Sequence, residues 1–474
     1  MAAIASPHCG ADRPCASRNF ARWSLLAAAS LVYAAPALAG EDTNEASVEH
    51  GSFALPPDDL LSDAEYQMGP SLSLASATTS ASPVSQAASS PSAPMLNVVA
   101  MPVGGPMPDA MTDSFRAKFV VSQFVDIPVA GDAPDIVRYS GRADAYVDIG
   151  GSLFGLDDSF TLNIQPEFTW GEDSNGEIGV IPTNTALFRP AGKGDFDVSI
   201  HLRKQWSSGV SLQIGKINTL PIAGALPIVG SDGHSGFQNL GVALPPTAII
   251  PNTMIGAHLT VPTKNGWVFR AWVFDPDSQF ERTGFETAFE DGVAFLAAAT
   301  KITRIGNKPG FYSIGLAGST RSAPNEELLP LPLLPNGQFG DAEDELAVSL
   351  SAYQFLSVYP EAPGKGWGLL ARFQLSDGDP TFLDWSGYFG IAGNPRFRPQ
   401  DRFGVAYFRY SLTDELVDDV ALFLDLEDEE GVEVFYTLGF AERFELTANA
   451  QVVNGAIGSD DTGVLLGMRL STRF

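Results

Sequence analysis

Apolar and polar residues alternate from Ser114 to Phe474 in short runs that recur about every 10–20 residues, with Gly, Asp, Asn and Pro between them. The last run shows the pattern. Val464, Leu466, Met468, Leu470, Thr472 and Phe474 fall on one face, and Leu465, Gly467, Arg469, Ser471 and Arg473 on the other. A period of two belongs to a strand with one greasy and one polar or small face.

The theme repeats upstream. Leu162, Ile164, Phe168 and Trp170 oppose Thr161, Asn163, Gln165, Glu167 and Thr169. Trp267, Phe269, Ala271 and Val273 oppose Val268, Arg270, Trp272 and Phe274. Trp367, Leu369, Ala371, Phe373 and Leu375 oppose Leu370, Arg372 and Gln374. Val432 to Phe440 and Phe444 to Val452 alternate in the same way, and further strands are expected near Phe115, Asp144, Ser199, Val210, Met254, Val293, Tyr312, Leu346 and Phe403.

An apolar face of Leu, Val, Phe and Ala with aromatics at its ends suits the hydrocarbon band and interfacial girdles of a membrane barrel. A soluble sandwich alternates too, burying its apolar side. The N-terminus separates them. Arg13, Arg18 and Arg22 precede an apolar stretch from Trp23 to Ala35, and Ala37-Leu38-Ala39 supplies a small-residue cleavage site. This predicts a secretory signal peptide over residues 1–39. Both cysteines, Cys9 and Cys15, lie within it, so no disulfide framework is expected in the exported chain.

No later segment is long and apolar enough for a spanning helix, and only helices and closed barrels satisfy their backbone in lipid. Residues 40–113, rich in Ala, Ser and Pro, are expected to be a flexible segment without a core. Residues 114–474 are then an all-β, transmembrane, antiparallel up-and-down barrel. At about 20–25 residues per strand and connection, about 14–18 strands fit, with an even number expected. Such a barrel is wide enough for an aqueous channel. This reading places the protein in the outer membrane of a Gram-negative bacterium, in contact with lipid and lipopolysaccharide, and leaves a homo-oligomer open.

The net charge of −28 excludes a nucleic-acid partner bound through a basic footprint. The acidic run Asp425 to Glu430 reads as a solvated loop, with a divalent-cation or lipopolysaccharide-linked site as the alternative. Catalytic motifs are sparse. His201, His234 and His258 show no metal-binding spacing, and there is no nucleophile elbow, phosphate loop or dinucleotide fingerprint in a strand-to-helix context. An outer-membrane hydrolase using His201 or His258 on the polar wall stays open as a minor alternative. No enzyme, cofactor or metal is expected.

Several blocks exceed generic barrel pattern: Gly366-Trp-Gly-Leu-Leu-Ala-Arg-Phe-Gln-Leu-Ser-Asp-Gly-Asp-Pro380 with Trp385, then Asn394-Pro-Arg-Phe-Arg-Pro-Gln-Asp-Arg-Phe-Gly-Val-Ala-Tyr407. Asp414-Glu-Leu416, Gly431-Val-Glu-Val-Phe-Tyr436 and Leu446-Thr-Ala-Asn-Ala-Gln-Val-Val453 follow in order. Weaker blocks are Asp144 to Leu156, Leu212 to Asn218, Thr283-Gly-Phe285 and Asp291-Gly292. This order resembles the carbohydrate-selective porins of the OprB type, over roughly Phe115 to Phe474. The resemblance implies a barrel of 16 strands that passes sugars and other small hydrophilic solutes by diffusion. A non-conducting barrel serving as adhesin or surface scaffold is the alternative.

In a porin, polar lining and the narrowest ring of side chains set selectivity. By strand parity the lumen-facing candidates are Glu167, Arg203, Arg270, Trp272, Arg372 and Gln374, with Arg270 beside Trp272 foremost. Arg409, sharing a face with Tyr407, is a weaker one. Thr219 to Pro251, rich in Gly and Pro and containing His234 and Phe237, is expected to form a constriction or an extracellular loop.

Overall fold

The computed structural model describes residues 114–188, 195–228, 230–243, 253–276, 285–290, 292–322, 343–376, 383–412, 414, 417–418, 421–422, 425–440, 443–458 and 461–474. The signal peptide expected over 1–39, the segment expected over 40–113 and the end of the predicted loop, 244–251, lie outside them.

Sixteen strands follow in chain order. They are β1 (Phe115–Ala130), β2 (Arg138–Gly150), β3 (Phe160–Gly171) and β4 (Phe196–Gln205). Next come β5 (Ser211–Asn218), β6 (Thr253–Pro262), β7 (Trp267–Phe274) and β8 (Ala294–Ile305). Then β9 (Lys308–Ser322), β10 (Glu343–Val358), β11 (Gly366–Ser376) and β12 (Leu383–Gly393). The last are β13 (Arg402–Leu412), β14 (Glu429–Phe440), β15 (Phe444–Asn454) and β16 (Gly463–Arg473). Each pairs antiparallel with its chain neighbours, and β1 pairs with β16, so the sheet closes into a barrel without an edge. The alternating runs each become one of these strands.

Closure places Gln123 opposite Leu470 and continues to the last residue. The Phe474 N–H donates to Phe119 O at 2.8 Å, and the Phe119 N–H donates to Phe474 O at 3.1 Å. The two rings lie 6.3 Å apart on the outer surface. On β16 the predicted faces hold. Leu466 and Met468 are exposed on the outside, whereas Arg469 and Ser471 are buried inside.

Trp170 on β3 lies over Gly141 of β2, its cross-strand partner, where a side chain would run into the indole ring. Aromatic pairs such as Trp267–Phe269 and Phe440–Phe444 add to the outer surface. This matches a lipid-facing wall edged with rings.

The two ends of the barrel differ. Short turns join β2 to β3, β4 to β5, β6 to β7 and β8 to β9 at the end where β1 begins and β16 finishes. Long connections leave the other end, among them 172–195 between β3 and β4 and 219–252 between β5 and β6. Short turns belong to the periplasmic side and long loops to the outside of the cell.

Phe474→Ala keeps the closing backbone pair and loses the ring contact with Phe119, about 1 kcal/mol. Deleting Phe474 loses the backbone pair as well. The temperature at which the folded band disappears on semi-native electrophoresis should fall slightly for the first variant and clearly more for the second.

Candidate functional site

The two long connections fold into the lumen, where their described hydrogen bonds go to one side of the wall while Phe188, Ile222 and the turn Leu240–Ala243 also pack against strands of the other side. In the β3–β4 loop, Ile178, Val180, Ile181 and Ala186 to Phe188 are buried. In the β5–β6 loop, His234 and Phe237 to Ala243 are buried, around the short helical turns Leu220–Gly224 and Leu240–Ala243. Backbone inside a barrel needs partners as strictly as backbone in a core. The wall supplies them with inward-pointing acids.

Glu429 at the start of β14 accepts the Val180 N–H at 2.6 Å, the Ile181 N–H at 2.9 Å and the Ala456 N–H at 3.2 Å. Two inward steps along the strand, Glu433 accepts the Gln238 and Asn239 N–H groups at 2.7 and 2.9 Å, with Asn449 donating at 2.5 Å. Gln451 on β15 ties both loops, donating to Thr183 O at 2.8 Å and accepting from the Asn239 amide at 2.9 Å. The loops also pair directly, through Thr185 N–H to Gln238 O and Leu240 N–H to Pro182 O. Phe237 packs edge-on against Phe435 at 4.9 Å, in space left by Gly404, where a Cβ would meet both rings.

A second anchor involves β1, β2, β3 and β16. Arg142 donates to Asp144 at 2.6 Å, to Glu167, and to Ala186 O at 2.9 Å. Asn218 at the end of β5 donates to Glu167 at 2.7 Å. His234 of the β5–β6 loop lies between Asp144 at 2.6 Å and Ser122 Oγ at 2.8 Å. Ser471 donates to His234 O at 2.7 Å, and Arg469 donates to Gly236 O at 2.9 Å. Arg142, Asp144, Glu167 and His234 are all buried. Ion pairs so enclosed hold a loop in one position because breaking one partner strands the other charge.

The sequence-derived candidates divide. Arg270 on β7 points inward and donates to Thr300 Oγ1 at 3.2 Å, which in turn meets Ser313 Oγ at 2.8 Å. Arg203 on β4 and Arg372 on β11 also lie on the inward face, each with an Nε that has no partner among the described residues. Gln374, two residues on, is buried and donates to Ser376 at 3.3 Å. Trp272 is inward but only 8 % exposed. One ring face stacks on His258 at 3.6 Å, and the side chain packs with Phe188, Met254 and Phe274. Glu167 belongs to the Arg142 anchor.

Two expectations are corrected. Arg409 and Tyr407 lie on the outer face of β13, with Phe408 and Tyr410 buried inside. Arg409 pairs there with Asp428 at 2.8 Å and Glu430 at 3.2 Å, so strand parity removes it from the lumen. The run Asp425–Glu430 is not all solvated loop, since Glu429 and Glu430 open β14 and Glu429 is buried. The predicted loop from Thr219 does fold into the lumen as far as it is described. Sequence reasoning missed the β3–β4 loop and the acids Glu429 and Glu433. An apolar Ile-Gly-Val-Ile run in a long connection, and acids at inward parity, were the available signals.

The profile of the family described as "Carbohydrate-selective porin, OprB family" matches residues 152–474. Among solved structures, the high-pH structure of Pseudomonas putida OprB is similar at 15% identity and a TM-score of 0.64, covering 76% of this chain and 94% of that one. The outer membrane channel DcaP of Acinetobacter baumannii is similar at 10% identity and a TM-score of 0.47, covering 76% and 97%. At 15% identity the likeness to the Pseudomonas putida structure speaks for the fold alone. No curated protein matches the sequence.

Two predictions follow from the loop anchors. Glu433→Ala removes the acceptor of two buried N–H groups, a loss of about 1.5–3 kcal/mol for each charge-assisted bond. Single-channel recordings should then show higher mean conductance and more flicker, with Glu433→Gln between mutant and native.

The second concerns Asp173 at the head of the β3–β4 loop. Burial pushes its carboxyl up from 3.8 to about 6, the Asn175 N–H and Arg138 opposing and Glu177 adding to the rise. A released loop would titrate near the ordinary value. The packed loop is therefore most stable below that value and loses stability as pH rises toward 6. Amide protection factors of Ser174 to Leu187, corrected for the intrinsic pH dependence of exchange, should be higher at about pH 4 than at about pH 7, and Asp173→Asn should narrow the difference.

Proposed function

This chain belongs to the OprB family of carbohydrate-selective porins, and we propose that its lumen passes small sugars along the inward wall of β7 to β12. It is an outer-membrane channel for small solutes. Sugar as the principal cargo, and the residues that meet it, are the finer reading proposed here. In the same reading residues 1–39 direct export and are removed, residues 40–113 are a separate segment and residues 114–474 form the pore.

The observation that carries the proposal is the one-sidedness of the loop hydrogen bonds among the described residues. Both inward loops take their hydrogen bonds from β1, β2 and β13 to β16. Toward β7 to β12, Thr300, Ser313, Ser349, Ser351 and Gln374 anchor no loop backbone among the described residues, and they share the inward face with Arg270 and Arg372. Hydroxyls, amides and guanidinium groups exchange hydrogen bonds with sugar hydroxyls as water does. Each such contact is weak, so a solute can leave as readily as it enters.

Trp272 serves differently from Arg270. Its ring is covered by His258 and Phe188, so it supports the wall and the loop tip and leaves the solute contact to Arg270. Arg203, Arg372 and Gln374 are proposed as further solute contacts, and Glu167 as the support of Arg142.

Purified protein in planar bilayers should conduct ions, and proteoliposomes should swell in isotonic monosaccharide. Arg270→Ala should alter single-channel conductance by a factor of about two or shift ion selectivity. A sealed, non-conducting barrel would remove the porin reading in favour of a surface scaffold, and an unchanged Arg270→Ala channel would take Arg270 out of the solute path.

A further inference from the structure

The carboxylates of this acidic protein are distributed unevenly around the barrel wall. Across nine consecutive strands, β5 to β13, the only acids are Glu343, Asp344 and Glu345, which open β10, and Asp384 near the start of β12. All four sit at the end of the barrel with the long connections. Below that mouth the strand wall from Ser211 to Leu412 holds no carboxylate.

The remaining strands are rich in inward acids, and most of these are engaged, although Asp126 on β1 keeps a buried Oδ2 without a partner among the described residues. Asp144 and Glu167 hold Arg142. Asp197 pairs with Lys216 at 2.5 Å and Glu445 with Arg473 at 2.7 Å. Glu429 and Glu433 accept loop N–H groups. Three inward arginines, Arg203 on β4, Arg270 on β7 and Arg372 on β11, differ from these. Among the described residues no carboxylate pairs with Arg203, Arg270 or Arg372, and Arg203 and Arg372 each leave a buried Nε unsatisfied.

Between Arg203 and Arg270 lie His201 and His258, each with a buried Nδ1 lacking a partner. Gln213 faces Arg203 across one ladder and His258 across the next, so these groups form a continuous strip on β4 to β7. Beside Arg270 the Thr300–Ser313 hydroxyl pair extends the strip with groups that can donate or accept.

From this arrangement we propose that the preferred solute is an anionic sugar, a polyhydroxylated carboxylate such as an aldonic or uronic acid. The proposal rests on the porin reading and narrows its cargo. A guanidinium inside a low-dielectric lumen attracts carboxylate far more than one at an open surface, and planar Arg matches carboxylate geometry. The neighbouring hydroxyls meet the sugar's own. The absence of acids on the neighbouring strands below the mouth removes the competitor that would otherwise neutralise Arg270 and Arg372, and the one acid on the strand of Arg203, Asp197, is taken by Lys216. A field of one sign along a narrow path also raises the local concentration of the opposite ion, by roughly tenfold or more. A neutral sugar gains only the hydroxyl contacts.

The test uses three solutes of one size and different charge: gluconate, glucose and glucosamine. The protein, reconstituted in planar bilayers, is first placed in a KCl gradient. The expected reversal potential is that of an anion-preferring channel despite the net charge of −28. Gluconate should half-block the current at a concentration about tenfold below glucose, and glucosamine should block least.

Arg203→Gln combined with Arg270→Gln should bring gluconate and glucose together. Arg409→Gln removes a charge from the outer face and should leave the ranking intact. Heat-shifted electrophoretic mobility checks that each variant is folded. The comparison of the three solutes on the native channel stands even if the double variant fails to fold. A conducting channel that prefers cations, or treats gluconate and glucose alike, overturns the anionic-sugar assignment and leaves the porin reading standing. Chloride preference without a gluconate effect overturns it too. A barrel that conducts nothing overturns both.

Discussion

A wall that crosses hydrocarbon has no water to satisfy its backbone, and that constraint organises this molecule twice. On the outside it forces closure, so β1 must find β16 and the chain's last residue completes the ladder against Phe119. On the inside it governs the loops. Backbone that turns into the lumen and is packed away from water must also be paired, and the strands do this with acids at inward positions. Glu429 and Glu433 each take two or more N–H groups from a loop that is far away in sequence. These contacts turn a wide barrel into a partly filled one.

The same contacts divide the lumen. Acids, amides and Arg142 on β1 to β3 and β14 to β16 are occupied in holding loops, and Phe237 is seated where Gly404 leaves room. The path proposed for solute runs past the other wall, where Arg270 and Arg372 lack acidic partners among the described residues. In the proposed function anchoring and transport use different residues, although both sets project inward with the same period of two. Trp272 and Arg270 illustrate the difference. They are two residues apart on one strand, yet one is enclosed by His258 and Phe188 while the other reaches only Thr300 and its hydroxyl neighbour.

Much of the fold was readable from alternation because the period of two is a local property. Each strand must present apolar atoms to lipid on one side, whatever its partners are. The run ending in Arg473 and Phe474 and the run through Arg270 and Trp272 kept the faces assigned to them. Parity errs where it is not anchored to the strand's apolar face. Arg409 shares a face with Tyr407, but that face is the outer one, shown by the buried Phe408 and Tyr410 between and beside them.

The sequence by itself determined the strands, their two faces, the class of barrel and the family blocks near its end. Those follow from local chemistry repeated along the chain. Only the tertiary structure decided which inward residues hold loops and which remain open. Glu433 and Arg372 look alike in pattern, each a charge between outward apolar neighbours. Their roles separate because Glu433 meets the Gln238 and Asn239 amides, brought in from a distant loop, while no acid on its own stretch of wall reaches Arg372. Contacts between residues so far apart in sequence depend on closure of the whole barrel, and no local period encodes them.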